Sequence, residues 1–266
     1  MKILGITTQK KFEVAVFVLT YNQIQYVVEC LESILKQKFR NSWHIFVHDD
    51  ASSDGTKEIL EAYYSKYPDK ITLLLQDENQ FQLGRTIGID LFKYSCSNFI
   101  AYCEGDDFWT SKRKLKNQFR FMKRNQWCAL LHSAVEVRNE DGWILYEEKL
   151  KELIKNKIYA NKRTSGSALT KGNFIMTCST LFRRSEMPED ILDNIGDLQP
   201  LDFILFSLVT RFKDIGFQKK IMSTYRLHSK NYFASQSNSV IKIDHSKTIS
   251  FLNSVSPRTF VNQMEE

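Results

Sequence analysis

Residues 13–37, EVAVFVLTYNQIQYVVECLESILKQ, contain a complete strand–turn–helix unit. Residues 13–19 are apolar and rich in β-branched side chains, a composition that predicts a strand buried on both faces. The polar TYNQ ends this run. From Ile24 onwards, apolar side chains recur every three or four residues, which predicts an amphipathic helix over residues 24–37. A fully buried strand that leads into such a helix is typical of a parallel sheet.

The same alternation continues to about residue 110. Strands are predicted at 43–50 (WHIFVHDD), 70–76 (KITLLLQ) and 97–104 (SNFIAYCE), and helices at roughly 56–66 and 86–97. Ser53 or Asp54 is the expected N-cap of the helix that begins near residue 56. This order predicts the α/β fold class, with a mostly parallel sheet covered by helices. In such sheets, ligands bind beyond the carboxyl ends of the strands.

The second half of the chain is less regular. The pattern predicts a basic helix over 111–125, two strands around the DG turn at 141–142, a charged helix over 147–162, a strand over 171–184, a buried helix over 201–212, a strand over 219–228 and a short helix at 248–255. No repeat and no Pro/Gly linker divides the sequence. We therefore expect a single domain over residues 1–235 and a Ser- and Asn-rich tail over 236–266.

Composition limits the class of protein. The 266 residues are 42% apolar and 26% charged, which is ordinary for a globular chain and excludes fibrous and disordered classes. The net charge of +6 is compatible with anionic small substrates, nucleic acid or an anionic membrane surface. Five scattered cysteines without a CxxC pair favour reduced thiols and a cytoplasmic location. No apolar run approaches the ~20 residues that span a bilayer.

Polar clusters follow three of the predicted strands, namely TYN, HDD and CEGDD. The densest cluster contains Glu104, Asp106 and Asp107. Oxygen ligands spaced in this way at a strand end suit a hard divalent cation, Mg²⁺ or Mn²⁺, which often bridges to a phosphate of the substrate. The alternative for this cluster is a solvated acidic turn. The HDD pair has the same two interpretations, a ligand contact or a turn cap.

Three further features each have a structural and a functional interpretation. Asp202 opens an apolar helix, as an N-cap or as a half-buried general base. His228 is a structural histidine or, beside Arg226, a phosphate or metal contact. The basic helix at 111–125 is a solvated face or a surface that meets anionic lipid. Binding of single-stranded nucleic acid would require aromatic side chains free for stacking, and those of this helix form its core face. We expect no nucleic-acid partner.

Four motifs, VFVLTYNQIQYVVECLESILKQ, VHDDASSDGTKEIL, FIAYCEGDDFW and YRLHS, together resemble the family 2 glycosyltransferases of the GT-A fold, in order and in spacing. The resemblance covers about residues 14–235. It implies a Rossmann-like α/β/α sandwich with a nucleotide-sugar-binding half at 1–110 and an acceptor-binding half at 111–235. It also implies inverting transfer of a sugar from a nucleotide-sugar donor, most frequently a UDP-sugar, to a hydroxyl of a glycan or glycolipid. Bacterial members commonly build lipopolysaccharide, capsule or other surface glycans, some in contact with the inner face of the cell membrane.

The resemblance also assigns roles to residues by position. The implied nucleotide-binding residues are Thr20, Tyr21, Asn22, Asp50, Arg85, Glu104, Gly105 and Asp106, with Asn79 and Gly84 on the loop of Arg85. The implied ligands of Mn²⁺ or Mg²⁺ are Asp106, Asp107 and His228. Glu104 stands where the family has an Asp. Asp202 is the implied general base, although Leu201 replaces the usual preceding Glu or Gly, and Asp197 in a GD pair is the alternative.

Two other classes of protein remain as alternatives. A catalytically degenerate member of the same family would bind a nucleotide sugar and act as a scaffold in a polysaccharide assembly complex, and Glu104 and Leu201 favour it. A nucleotidyltransferase shares the layout of the sheet. That class typically carries a Gly-rich loop with Arg and Lys after the first strand, and TYNQIQYVVE lacks one.

Overall fold

The computed structural model describes residues 1–5, 10–139, 162–229 and 238–260. Within these ranges the strands are β1 (Lys2–Leu4), β2 (Lys11–Thr20), β3 (Trp43–Asp49), β4 (Ile71–Leu75), β5 (Cys96–Tyr102), β6 (Cys128–Arg138), β7 (Arg163–Ser165), β8 (Leu181–Arg183) and β9 (Asp214–Arg226). The α-helices are α1 (Val27–Leu35), α2 (Thr56–Lys66), α3 (Asp90–Tyr94), α4 (Lys114–Arg124), α5 (Glu189–Leu192), α6 (Leu201–Val209) and α7 (Asn238–Val255). Short 3₁₀ turns lie at 166–171, 177–179 and 184–186.

All of these strands belong to one mixed sheet, in the order β1-β4-β3-β2-β5-β8-β6-β9-β7. Strands β4, β3, β2 and β5 run parallel to one another, and so do β6 and β9. The edge strands β1 and β7 run antiparallel to β4 and β9. The short β8 runs antiparallel to both β5 and β6. The α/β fold class is confirmed. The parallel arrangement predicted for the first half is present, and the second half adds antiparallel pairs.

Strand β2 shows why its sequence is apolar throughout. Its side chains alternate between two buried clusters, with Ala15 and Phe17 on one face of the sheet and Val14, Val16 and Val18 on the other. Helices α1, α2 and α4 pack on the valine face. Helices α3, α6 and α7 pack on the phenylalanine face. The sheet is therefore the middle of three layers, and ligands reach it at the ends of its strands.

Most predicted elements of the first half are confirmed, with shifted ends. Helix α1 begins at Val27 rather than at residue 24, because residues 23 and 24 are held in a turn by Thr56 Oγ1 and Asp54 Oδ2. The N-cap of α2 is Gly55 rather than the expected Ser53 or Asp54, although Asp54 Oδ1 accepts a hydrogen bond from the N–H of Thr56 at 3.0 Å. Helix α3 is shorter than predicted, since residues from Cys96 onwards join β5.

In the second half, the predicted strand over 171–184 is wrong. This segment consists mostly of 3₁₀ turns and irregular backbone, with only β8 extended. The predicted strand at 143–148 and helix at 147–162 lie outside the described residues. Helix α7 confirms the helix expected at 248–255 and is longer. All five cysteines are free, and four are buried. Among the described helices, none is long and apolar enough to cross a membrane.

Candidate active site

The acidic turn CEGDD lies just past the end of β5, at the carboxyl edge of the parallel strands. The N–H of Gly105 donates to Leu19 O at 2.9 Å, so the pairing with β2 continues beyond the strand. A Cβ atom at position 105 would lie 2.3 Å from Gln23 Oε1 and 2.6 Å from Thr20 Cγ2, so any residue other than glycine would force these side chains to move. Gly105 thus lets the turn pack directly against the end of β2.

Glu104, Asp106 and Asp107 converge in this turn, each with a carboxylate oxygen within 4.8 Å of the other two. Burial and the neighbouring carboxylates raise the pKa values of Glu104 and Asp107 well above their usual range. Asp107 Oδ2 is buried and accepts no hydrogen bond from a nitrogen or hydroxyl group of the described residues, and the Cys178 thiol faces this carboxyl group. Such crowding is unfavourable until a proton or a cation neutralises it, and oxygen ligands suit Mg²⁺ or Mn²⁺. The residues present therefore fit a divalent cation.

The end of β9 brings Arg226 and His228 to this cluster. The N–H of Arg226 donates to Asp107 Oδ1 at 2.9 Å, and its guanidinium group donates to the backbone oxygen of Asp106. His228 Nε2 lies 2.9 Å from Asp106 Oδ2, and its ring stacks on Tyr26 with centroids 5.1 Å apart. His228 thus contacts a member of the cluster. Direct ligation of a metal by His228 stays a prediction.

Asp202, in the first turn of α6, is the predicted general base. Its Oδ2 accepts a hydrogen bond from Asn173 Nδ2 at 2.7 Å, and its Oδ1 accepts one from the N–H of Phe203 at 2.8 Å. Burial raises the pKa of Asp202 to about 6, although hydrogen bonds from Phe203, Asn173 and Thr177 oppose this. The charge of Asp202 in turn helps to raise the pKa of Glu104, so the two carboxylates lie within electrostatic range of each other.

Asp197, the alternative base, lies on the surface in the loop before α6. Its side chain is 61% exposed and forms an ion pair with Lys247 at 3.6 Å. The surroundings favour Asp202 as the base, and the assignment itself stays a prediction.

Thr20, Tyr21 and Asn22, the residues expected to line the nucleotide pocket, differ in their surroundings. The buried Thr20 hydroxyl donates to Asp49 Oδ1 at 2.8 Å, and Asn22 Oδ1 accepts from the N–H of Ser53 at 2.9 Å. Asn22 also has a positive φ of 50°. These two residues fix the turn after β2. Tyr21 is 39% exposed. All three contacts with a nucleotide stay predictions.

Asp50 lies buried between the end of β3 and the loop that follows β4. Its Oδ1 accepts a hydrogen bond from the N–H of Gln80 at 2.7 Å, and its Oδ2 accepts one from the N–H of Phe81 at 3.1 Å. Arg85, on the same loop, is exposed and donates to Gln80 Oε1 at 2.7 Å. Asp50 therefore orders the loop of Arg85. Each of its oxygens retains a second lone pair, so a contact with the base stays a prediction.

A set of side chains that the sequence analysis did not single out connects the two halves of the site. Trp109 Nε1, Gln118 Nε2 and Lys114 Nζ donate to the backbone oxygens of residues 178, 179 and 180, at 3.0, 2.7 and 3.0 Å. Lys114 is fully buried, and burial lowers its pKa to about 7. We call these three side chains the clamp. Since Thr177, in the same turn, is hydrogen-bonded to Asp202, the clamp ties the surroundings of the predicted base to the acidic segment.

A sequence signal for the clamp exists. Positions 114, 115, 118, 119 and 122 form the buried face of α4, and two of them are the polar residues Lys114 and Gln118. A buried lysine is rare and requires hydrogen-bond partners. Asn173 and Thr177, which were also missed, are polar residues within the run NFIMTC, whose pattern predicts a strand.

Comparison with known proteins places the chain in a family. The family described as "Glycosyl transferase family 2" matches residues 15–187. Rv1520, an uncharacterized protein of Mycobacterium tuberculosis, is 28% identical over 216 residues, which cover 79% of this chain and 58% of that protein. The chain thus spans less than two thirds of the length of this relative. The poly(ribitol-phosphate) β-N-acetylglucosaminyltransferase TarS of Staphylococcus aureus is 28% identical over 150 residues, or 56% of this chain and 25% of TarS.

Two solved structures share the fold. The crystal structure of TarS in complex with UDP-GlcNAc has a TM-score of 0.63 at 17% identity, and the match covers 91% of this chain and 71% of that one. The mannosyltransferase PcManGT of Pyrobaculum calidifontis, in complex with GDP-Man and Mn²⁺, has a TM-score of 0.65 at 15% identity, over 93% and 67% of the two chains. These similarities identify the sheet and its helices as a GT-A fold.

Proposed function

The chain belongs to glycosyl transferase family 2, and we propose that it transfers a sugar from a nucleotide-sugar donor to a hydroxyl group of a glycan or glycolipid acceptor, with inversion at the anomeric carbon. This proposal rests on one observation. A group of carboxylates suited to bind a cation and a separate carboxylate suited to accept a proton both lie beyond the carboxyl ends of the parallel strands. Glu104, Asp106 and Asp107 form a group suited to a cation. Asp202, beside them, has a pKa of about 6 and is therefore suited to accept a proton near neutral pH.

In the proposed reaction, ionised Asp202 removes the proton of the acceptor hydroxyl. The oxygen then forms a bond to the anomeric carbon while the bond to the diphosphate breaks on the opposite face, so the configuration inverts. Asn173 holds Asp202 Oδ2 and thereby orients the carboxylate. General-base catalysis of this kind contributes about 10²–10⁴ to the rate.

The acidic turn supplies the other half of the proposed mechanism. Asp106 and Asp107, with Glu104, would hold Mn²⁺ or Mg²⁺, which when bound acts as a Lewis acid towards the leaving diphosphate. Arg226 donates hydrogen bonds to both aspartates through its main chain and side chain, so it fixes the turn and brings a positive charge to it. Tyr21, Asp50 and Arg85 are proposed to contact the nucleotide.

The donor is proposed to be a UDP-sugar. UDP-GlcNAc is bound in the structure of TarS, and PcManGT binds GDP-Man with Mn²⁺. PcManGT is similar in fold only, and the sequence match to TarS covers a quarter of that protein. They therefore support a nucleotide sugar as the donor class and leave the base and the sugar as proposals. The acceptor is proposed to be a bacterial surface glycan such as lipopolysaccharide or capsule. The cytoplasmic location and a peripheral contact with an anionic membrane are also proposals.

A thermal-shift screen of nucleotide sugars, with and without Mn²⁺, tests the donor and the metal together. A ligand at about 100 times its Kd stabilises the folded state by about 2.7 kcal/mol, which raises the unfolding temperature measurably. We expect a UDP-sugar to stabilise the protein, and to do so more strongly with Mn²⁺. No stabilisation by any nucleotide sugar under either condition would contradict the proposal.

The scaffold alternative makes a different prediction. A degenerate member would bind the donor and never release nucleoside diphosphate. Leu201, which replaces the acidic or glycine residue usual in the family, is buried and contributes only to the core of α6. Donor binding without any release of diphosphate would favour the scaffold over the enzyme.

A further inference from the structure

We propose that a basic surface at the amino ends of the parallel strands docks this protein onto an anionic lipid bilayer. The acidic cluster lies at the opposite, carboxyl ends of these strands. The surface consists of the exposed Lys and Arg side chains of residues 36–41 and 112–124. These two segments contain ten basic and no acidic residues. Since they contribute +10 to a net charge of +6, the remainder of the chain carries a net charge of −4. Positive charge is therefore concentrated in one part of an otherwise acidic protein.

The two segments are brought together by the fold. The N–H of Lys38 donates to the backbone oxygen of Lys112 at 2.7 Å, and Gln37 Oε1 accepts a hydrogen bond from the N–H of Leu115 at 3.2 Å. Between the segments lies an open groove of about 770 Å³, whose basic lining residues are Lys38, Arg40, Arg113, Lys116 and Arg120. Five of the basic side chains, from both segments, thus lie around one groove.

Within the described residues, most of the positive charge of this surface is not paired with a carboxylate. Nine of the ten basic side chains are exposed, and Lys114 of the clamp is the buried exception. Lys36 pairs with Glu32 at 3.1 Å. Across the ranges that the structure describes, the other eight form no ion pair. An unneutralised cluster of this size attracts an anionic partner over several ångströms.

The surroundings favour a fluid lipid surface over a nucleic acid or a small anion. Phe39 and Phe119 pack edge to face on each other, with centroids 5.2 Å apart, and Phe119 is buried, so neither presents a face for base stacking. The side-chain amide of Gln37, the buried polar residue of the groove, is already hydrogen-bonded to the backbone of Ser111 and Leu115. What remains is a set of long exposed cations, and such clusters bind the mobile head groups of anionic lipids.

The basic surface lies far from the acidic cluster, so membrane docking and sugar transfer use different parts of the protein. Residues 38–41 lie just before β3, where the parallel strands begin, and the acidic cluster lies beyond the edge where they end. The seven residues of β3, at a rise of ~3.3 Å each, put roughly 20 Å between the two. Docking therefore leaves the acidic cluster open, and a change in the basic surface should leave donor binding intact.

Co-sedimentation of the full chain with vesicles tests the proposal. We expect binding to vesicles of phosphatidylcholine mixed with phosphatidylglycerol, little binding to phosphatidylcholine alone, and loss of binding as the NaCl concentration rises. Each basic side chain near an anionic leaflet strengthens the association about fivefold. The double variant Lys38→Gln/Lys116→Gln should therefore bind about 25-fold more weakly.

Lys219→Gln/Lys220→Gln is the matched control, since it removes the same charge from exposed lysines of β9. It should bind vesicles within about twofold of the wild type. Equal losses in the two double variants would show that net charge alone matters and would overturn the proposal. So would binding to heparin or duplex DNA by a protein that ignores anionic vesicles. A thermal shift with the donor, unchanged in Lys38→Gln/Lys116→Gln, separates this outcome from a failure of the transferase proposal.

Discussion

Replacement of Asp202 by Asn removes the proposed base and retains the size of the side chain. Since general-base catalysis contributes about 10²–10⁴ to the rate, Asp202→Asn should lower kcat by this factor and leave the Kd of the donor unchanged. The assay is release of nucleoside diphosphate with acceptor present, combined with calorimetric titration of the donor. Asp197→Asn is the control, because Asp197 is exposed and paired with Lys247. It should stay within about twofold of the wild type.

The pH dependence of the reaction rate is a second test of Asp202 as the general base. Burial raises the pKa of Asp202 to about 6, and only the ionised carboxylate accepts a proton. The ionised fraction falls from about 90% at pH 7 to about 10% at pH 5, so the rate should fall about tenfold over this range. Asp202→Asn should lack this slope, because its amide does not titrate.

Stability measurements would show whether the expected fall in kcat of Asp202→Asn comes from unfolding. The pKa of Asp202 is higher in the folded state than its ordinary value of 3.8, so the folded state holds this proton more tightly than the unfolded one. The resulting stability is full below about pH 3.8 and is lost as the pH rises through about 6, on the order of 2–3 kcal/mol. Asn is neutral at every pH, so Asp202→Asn should unfold at an equal or higher temperature near pH 7.5. A folded Asp202→Asn protein that transfers sugar at the wild-type rate would refute the base assignment.

Three further predictions concern the rest of the site. Mn²⁺ should raise the unfolding temperature of the wild type and of the control Asp190→Asn but not of Asp106→Asn, and equal shifts in all three would place the ion elsewhere. Asp50→Ala should weaken binding of the free nucleotide in a calorimetric titration, because it removes the predicted base contact and releases the amides of residues 80 and 81; equal affinity would exclude that contact. Burial lowers the pKa of Lys114 from 10.5 to about 7, so its charging opposes folding. Wild-type stability in urea should therefore fall relative to Lys114→Met as the pH drops from about 10.5 to about 7, and parallel stability curves over this range would contradict the buried clamp.

The first half of the fold could be predicted because its sequence signals are local. An apolar run such as that of β2 has no polar face, so it must be covered on both sides, and the helices that cover it carry a regular apolar spacing. The position of the acidic turn follows from the same rule, since it comes directly after a buried strand of a parallel sheet. Gly105, in the middle of CEGDD, is explained only by the close approach of Thr20 and Gln23.

The second half could not be predicted to the same depth, because its structure depends on contacts between distant segments. Residues 177–180 lie within the run 171–184 that the sequence predicts as a strand, yet they form a turn whose carbonyl groups accept hydrogen bonds from the clamp. The surroundings of Asp202 follow from this turn through Thr177. A pKa of about 6 for Asp202 is therefore a property of the assembled site, and no pattern in residues 197–212 indicates it.

Metal-dependent release of nucleoside diphosphate tests the central claim most directly. The purified chain is incubated with UDP-sugars and an acceptor glycan, with Mn²⁺ or with EDTA, and the released diphosphate is measured. We predict release with Mn²⁺ from the wild type, and release at least about 100-fold slower from Asp202→Asn. A wild-type protein that binds the donor and releases no diphosphate, or one that releases it equally well in EDTA, would contradict the proposed transferase site.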